Sequence, residues 1–179
     1  MSVGEPQKQS QENPMLEQRI EKVTVNIAIG KSGEPLERAM QVLQELTGQK
    51  PCRNLAKKTI RDFGIRKGEP IACMVTLRKQ KAIDFLKKVL PAVDNKISRG
   101  AFDVKGNFSF GIKEHIDIPG TRYVPELGIF GMNVAVAVSR TGHRVQKRRR
   151  IKSRVGKKHL LTPEESVQFV KEELGVEIV

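Results

Sequence analysis

Two stretches of alternating apolar and polar residues constrain the fold more than any other feature of this sequence. In residues 21–30 and again in residues 71–77, every second residue is apolar, and those between are polar or small except Met74. Because successive side chains of a β-strand point to opposite faces of a sheet, each stretch predicts a strand with one apolar face. Such strands are typical of a mostly antiparallel sheet with helices packed on its apolar face. The predicted fold class is therefore α+β.

Other periodic segments supply the remaining elements of this fold. Strands are predicted near 108–112 and 134–138, core helices at 36–46 and 82–93, and a short helical turn within 14–20. The second core helix contains Pro91, so we expect it to bend or restart there. Near the end of the chain, Thr162 to Glu165 has the form of a capping box with proline at the first helical position, which predicts a helix that ends before Gly175.

The predicted elements and the charge pattern divide the chain into four parts. These are a flexible N-terminal tail (1–13), an α+β core (14–139) with a projecting basic loop (54–68), a basic arm (140–163), and a C-terminal helix and tail (164–179).

The outward side chains of the two alternating stretches predict a polar sheet face that suits RNA. They are short hydrogen-bonding groups and cations: Lys22, Thr24, Asn26, Thr76 and Arg78. Groups of this kind contact phosphates and 2′-hydroxyls of folded RNA without base stacking. That mode fits a sequence with no Trp and one Tyr. The alternative is an ordinary solvated sheet face, and the strongly positive charge of the chain favours RNA.

Positive charge is concentrated in two segments. Residues 140–163 hold ten Lys or Arg and no acid, and residues 50–67 hold seven cations and one acid. Their combined net charge of +16 exceeds the +13 of the whole chain, so the remainder is slightly acidic. Charge this concentrated predicts a polyanionic partner, with nucleic acid ahead of an anionic membrane surface.

The cations expected to contact RNA fall into two sets. In the basic loop they are Lys57, Lys58, Arg61, Arg66 and Lys67; in the basic arm they are Arg144, Lys147, Arg148, Arg149, Arg150, Lys152 and Arg154. We expect the arm to be mobile when free and to order on RNA, because an acid-free cationic segment cannot build a core of its own. Which RNA the arm contacts is left open by the residues.

Patterns for catalysis, metal binding or membrane insertion are weak. His115 lies near Glu114 and Asp117, but a surface histidine is the simpler interpretation, and no nucleophile–base pair accompanies it. Cys52 and Cys73 lack metal-ligand spacing and are predicted to be idle thiols in a reducing cytosol. No apolar run approaches the roughly 20 residues of a membrane span. We therefore expect a cytoplasmic protein with no cofactor, no metal and no enzymatic activity.

Several segments also resemble a known family, in the same order along the chain. They are EKVTVNIAIG (21–30), LTGQKP (46–51), FGIRKG (63–68), VTLR (75–78) and GNFS (106–109). Together they resemble the universal large-subunit ribosomal proteins that bind 5S rRNA, the L5 family, over about residues 14–138. The segment GIKEHIDIPG (111–120) and the basic arm are similar to the archaeal and eukaryotic branch of that family.

This resemblance implies a particular function. It implies docking on 5S rRNA through Asn26, Gln49 and Thr76, with Lys22 and Arg78 nearby. It implies that the basic loop reaches the peptidyl-site tRNA, and that the protein lies in the central protuberance and bridges to small-subunit ribosomal protein S13. The protein would then be a structural constituent of the large ribosomal subunit. A generic RNA-binding module and an RNA-processing enzyme are the alternatives.

Overall fold

The computed structural model describes residues 13–121 and 124–179, and its centre is a five-stranded antiparallel sheet. The strands are β1 (Gln18–Ala28), β2 (Cys52–Leu55), β3 (Pro70–Leu77), β5 (Phe108–Ile112) and β6 (Met132–Arg140). Their order in the sheet is β2-β3-β1-β6-β5. The α+β class and the mostly antiparallel sheet are confirmed. The tail predicted at 1–13 lies outside the described residues except for Asn13.

The helices are α1 (Glu34–Thr47), α2 (Gln80–Val89), α3 (Arg144–Lys147) and α4 (Pro163–Leu174). A short parallel pair, β4 (Lys96–Ile97) and β7 (Glu177–Ile178), ties the C-terminus to the segment after α2. As predicted, α2 ends before Pro91, and the chain continues as a 3-10 turn.

The core is formed between the apolar face of the sheet and the helices. Strand residues Val23, Val25, Val134 and Val136 are almost fully buried. Helices α1 and α2 contribute their own buried side chains, which are Leu36, Ala39, Val42, Leu43, Ala82, Phe85, Leu86 and Val89. Burying one large aliphatic side chain stabilises a fold by about 1.5–3 kcal/mol, so the packing of these helices on the apolar face stabilises the sheet. The helices do not pack on the opposite, polar face.

The first strand begins earlier than the sequence predicts. Part of the stretch predicted to form a helical turn, Gln18 to Ile20, belongs to β1, which pairs with β6 from Gln18 onward. The register with β6 shifts between Ile20 and Lys22, which places an extra residue, Glu21, in β1. This bulge separates the buried Ile20 from the next buried residue, Val23, by three positions instead of two. The alternation therefore breaks at this point and hides the start of the strand.

Strand β2 lies within a segment that the sequence leaves without structure. Its four residues are mostly exposed because β2 is an edge strand, so they carry no alternating pattern. The first two residues of the predicted basic loop, Asn54 and Leu55, belong to this strand.

The capping box at the start of α4 is confirmed in full. The Thr162 hydroxyl accepts from the backbone N–H of Glu165, and the Glu165 carboxylate accepts from the backbone N–H of Thr162. Because Pro163 is the first residue of α4, the helix begins inside the range predicted for the basic arm. It ends at Leu174, before the left-handed Gly175, as predicted.

Candidate RNA interface

Cross-strand pairing arranges the open face of the sheet, the polar sheet face, into two rows of side chains. The first row runs over Cys52, Met74, Asn26, Asn133 and Gly111, each residue opposite the next. The second row runs over Thr76, Thr24, Ala135 and Ser109. Because directly opposite residues share a face, with Cβ atoms about 4.5–5.5 Å apart, each row is a continuous strip.

Four of the residues predicted to bind RNA are brought together on this face. Thr24 and Thr76 are direct cross-strand partners, Asn26 is two residues along β1, and Lys22 lies two residues the other way. All four are half-buried, and their alternation with buried valines is as predicted. Ala135 and Gly111 add no bulk, so a ligand can approach the backbone closely.

The two remaining predicted residues lie at the margin of the polar sheet face. Arg78 is exposed and directly follows β3, two positions beyond Thr76. Gln49 lies between α1 and β2, and its backbone N–H donates to the Thr47 hydroxyl (3.4 Å). Since β2 runs antiparallel to β3, the chain before Cys52 runs toward the end of β3 that carries Thr76. Gln49 is therefore near the edge of the face and outside its two rows.

Two polar residues of this face were missed by the sequence reasoning. Asn133 lies directly opposite Asn26, and Ser109 lies opposite Ala135. Both are exposed. The alternation of β6 starts at Met132, one pair earlier than the strand predicted at 134–138, and this alternation would have placed Asn133 outward.

The basic loop is an ordered hairpin that extends β2 and β3. Ala56 donates to the Glu69 carbonyl (2.8 Å) and accepts from Gly68 N–H (2.9 Å). Further out, Ile60 and Ile65 exchange two backbone hydrogen bonds (2.9 and 3.0 Å). The chain reverses over 61–64, where the ring of Phe63 is 72% exposed. The five predicted cations are all exposed on this hairpin, so charge surrounds an apolar tip.

One carboxylate, that of Glu69, braces the base of this hairpin. It accepts hydrogen bonds from the Ser32 hydroxyl and from the backbone N–H of Arg66. Both hydrogen bonds lower the pKa of Glu69 below its ordinary value, and the bond from Ser32 has the larger effect. The loop after β1, which carries Ser32, is thus connected to the basic hairpin.

The basic arm contacts the body of the protein through its two histidines and its last residues, and its mobility when free stays a prediction. The ring of His159 donates to the Thr141 carbonyl (2.8 Å), and the ring of His143 donates to the Arg140 carbonyl (3.0 Å). At its end, Leu161 is buried in the core. The two histidines therefore serve the fold of the arm. The seven predicted arm cations remain exposed.

An ion pair joins the arm to β1. The ammonium group of Lys147 contacts the Glu21 carboxylate at the bulge of β1. Burial raises the pKa of Glu21, but the hydrogen bond and the positive charge of Lys147 lower it by more, so the carboxylate titrates below its ordinary range. This contact holds α3 beside the Lys22 end of the polar sheet face.

The prediction of a surface position for His115 is wrong. Its side chain is only 3% exposed, and its Nδ1 accepts from the backbone N–H of Phe130 (3.3 Å). Burial lowers the pKa of this imidazole, which keeps it neutral. In residues 13–121 and 124–179, no cluster of His, Cys, Asp or Glu has metal-site geometry, and no helix has the length and apolar composition that a bilayer crossing requires.

The fold and its charged surfaces define a basic α+β protein with the charge pattern of a nucleic-acid-binding protein. Two family models match the chain. The model for ribosomal protein L5 matches residues 13–66, and the model for the C-terminus of the same ribosomal protein family matches residues 70–169. The chain belongs to the ribosomal protein L5 (uL5) family. It is a structural constituent of the large subunit of the cytoplasmic ribosome, as the sequence predicted.

Individual relatives agree over almost the full length. The large ribosomal subunit protein uL5 of Sulfurisphaera tokodaii is 55% identical over 168 residues, which cover 93% of this chain and 95% of that protein. Its counterpart from Sulfolobus acidocaldarius is 51% identical over 179 residues, covering 100% and 99%. The Nanoarchaeum equitans uL5 is 50% identical over 169 residues, covering 94% and 99%. The predicted likeness to archaeal members is confirmed.

Proposed function

We propose that this protein binds 5S rRNA through its polar sheet face and helps to attach it in the central protuberance of the large subunit. The observation that carries this proposal is the convergence of Thr24, Asn26 and Thr76 on an uncovered sheet face bounded by Lys22 and Arg78. A rigid face with short polar side chains can fix the register of a folded RNA, because its groups lose little freedom on binding.

The chemistry of these side chains fits sugars and phosphates. The amide of Asn26 donates and accepts, and the hydroxyls of Thr24 and Thr76 do the same, so each can bond a 2′-hydroxyl or a phosphate oxygen. Lys22 and Arg78 add charge-assisted contacts to phosphates at the margin. The exposed cations of the hairpin and the arm then strengthen binding without specifying sequence.

A filter-binding titration with 5S rRNA tests this role. The double substitution Asn26→Ala with Thr76→Ala removes two hydrogen-bonding groups worth about 0.5–1.5 kcal/mol each, so affinity should fall roughly fivefold to a hundredfold. Gln44→Ala is the matched control because Gln44 is an exposed amide on α1, the helical side of the sheet. Unchanged affinity in the double variant, with the fold intact by circular dichroism, would rule out this assignment.

The exposed tip of the basic hairpin favours a second, compatible role. We propose that the hairpin contacts the peptidyl-site tRNA and that the protein bridges to small-subunit protein S13. The apolar ring of Phe63 projects beyond the body of the protein, with Arg61 and Arg66 on either side of the turn. An exposed aromatic ring flanked by cations can insert into or stack on a second macromolecule, which the flat polar sheet face cannot do.

Shortening the hairpin separates the two roles. Joining Ala56 to Gly68 through an Asn-Gly turn removes the five hairpin cations and Phe63 but retains the pairing of Ala56 with Glu69. We expect this variant to keep the specificity of its 5S rRNA binding, with affinity lowered only by the lost nonspecific phosphate contacts, while impairing subunit joining or tRNA positioning in reconstituted ribosomes. Phe63→Ala alone tests the apolar tip with the charge unchanged. Loss of specific 5S rRNA binding in the shortened variant would contradict this division of labour.

A further inference from the structure

A hollow of about 440 Å³ lies where the arm meets the sheet. Four separate parts of the chain line it: β1, the turn before β5, β6 and the basic arm. Four of the side chains that line it are cationic, namely Lys22, Lys105, Lys147 and Arg154. Glu21 is the one carboxylate among its described lining residues, and its charge is matched by Lys147.

Lys105 is held at this hollow by a tightly bonded turn. The Asp103 carboxylate accepts from the backbone N–H groups of Lys105 and Asn107, both at 2.8 Å. Gly106, between them, has φ +75°, and a Cβ there would lie 2.0 Å from the Ser166 hydroxyl. The turn therefore packs directly against α4, which fixes the backbone at Lys105.

The arm supplies the opposite side of the hollow. Lys147 is tied to Glu21, and the backbone N–H of Ser153 donates to the Val145 carbonyl (3.3 Å). This second contact folds the far part of the arm back along α3 and places Arg154 beside the hollow. The two cations of the arm therefore reach it from two separate points of the chain.

Positive charge exceeds negative charge among the described residues that line this hollow. Among the described residues, Lys147 is the only one of the four cations that makes an ion pair. Lys22 and Lys105 lie within range of the Glu21 and Asp103 carboxylates, whose pKa values their charges help to lower, but neither forms an ion pair with them. The cations that line the hollow still outnumber its carboxylate, and like charges at close range repel one another. An anion in the hollow would relieve that repulsion, and Lys and Arg are the side chains that bind phosphate oxygens.

We propose that the hollow binds a phosphate group of the RNA backbone, so that the basic arm holds the same RNA as the polar sheet face. This inference rests on the proposed 5S rRNA binding, and it assigns the arm a partner. Lys22 belongs to both surfaces and lies two residues from Thr24, about 7 Å along a strand. One RNA strand can therefore contact the Thr24 row and the hollow together.

The salt dependence of 5S rRNA binding tests the hollow. The substitution Lys105→Gln with Arg154→Gln removes two exposed cations that make no ion pair among the described residues. We expect affinity to fall roughly tenfold, and the slope of log K against log salt to become shallower by about 1, as for one lost phosphate contact. The control, Lys157→Gln with Lys87→Gln, removes the same charge from exposed positions that do not line the hollow.

The outcomes separate this inference from the function on which it rests. If both double variants change affinity and slope equally, the arm acts as diffuse charge and the hollow is not a site. If the hollow variant binds like wild type while Asn26→Ala with Thr76→Ala binds weakly, the arm has another partner although the proposed function stands. If wild type binds inorganic phosphate and the hollow variant does not, while both bind 5S rRNA with equal affinity and salt slope, the hollow binds free phosphate instead of RNA.

Discussion

Asn26 on β1 and Asn133 on β6 are direct cross-strand partners on the polar sheet face. Asn133 has Gly111 as its neighbour on β5, and Asn26 has Met74 as its neighbour on β3. Two adjacent amides, each able to donate and accept, give this strip more hydrogen-bonding capacity than any single strand provides. The strip therefore extends the predicted RNA-binding surface across the strand boundary to β6.

Replacing Asn133 tests whether this strip acts as one surface. Asn133→Ala should weaken 5S rRNA binding by roughly twofold to tenfold, as expected for one lost hydrogen-bonding group. Because Asn133 is exposed, the free energy of unfolding should change by less than about 0.5 kcal/mol in urea denaturation. Combined with Asn26→Ala, the losses should not be additive, because the two amides are neighbours. Affinity equal to that of the Gln44→Ala control would exclude Asn133 from the interface.

The two free cysteines provide a footprint of the same face. Cys52 is exposed in the first row beside Met74, whereas Cys73 is buried and its pKa is raised to about 11 by desolvation. Iodoacetamide should therefore alkylate Cys52 in the native protein and Cys73 only after unfolding, since the thiolate is the reactive form. Saturating 5S rRNA should slow alkylation of Cys52, as followed by mass spectrometry. Equal rates with and without this RNA would place the RNA elsewhere.

The ion pair between Glu21 and Lys147 should make stability depend on pH. Since the folded-state pKa of Glu21 lies below its ordinary value of 4.5, the contribution is present above that value and is lost as pH falls through the folded-state pKa. Wild type should therefore exceed Glu21→Gln in stability at neutral pH, with the difference vanishing in acid. Urea denaturation across this range measures it. Glu126→Gln, at an exposed carboxylate, is the control and should show no comparable difference.

Gly106, the glycine of the turn that carries Lys105, should tolerate substitution by alanine poorly. Alanine at this position combines a left-handed backbone, which costs about 1–2 kcal/mol, with an overlap against Ser166 on α4. Gly128→Ala is the matched control because Gly128 has φ +80° but no atom within 4 Å of an added Cβ. Thermal unfolding should show a larger loss for Gly106→Ala. Equal losses would mean that the turn moves away from α4 without cost.

The strands that the sequence predicts best are those buried on one face. Alternation placed Val23 and Val25 inward and Thr24 and Asn26 outward, because a strand turns successive side chains to opposite sides. The same reasoning missed Gln18 to Ile20, where the bulge at Glu21 breaks the period. It also missed β2, because an edge strand exposed on most sides needs no apolar pattern.

The candidate site was only partly predictable for a related reason. Lys22 and Thr24 could be assigned to an outward face from β1 alone, but Asn133 becomes part of that face only because β6 lies beside β1. Gly106 and His159 also act through residues far away in the chain, which are Ser166 and Thr141. The predicted surface position of His115 was wrong because its burial depends on how the irregular segment around it packs. The local sequence pattern carries no signal for that packing.

The sequence by itself determined which side chains of each strand face the core and where positive charge accumulates, because both are local properties of the chain. Only the tertiary structure decided that Asn133 stands opposite Asn26, and that Lys105 and Arg154 converge on Lys22. Those arrangements follow from sheet order, from a turn packed on α4 and from an ion pair between distant segments. Each of these joins residues far apart in sequence, and no local periodicity encodes such pairings.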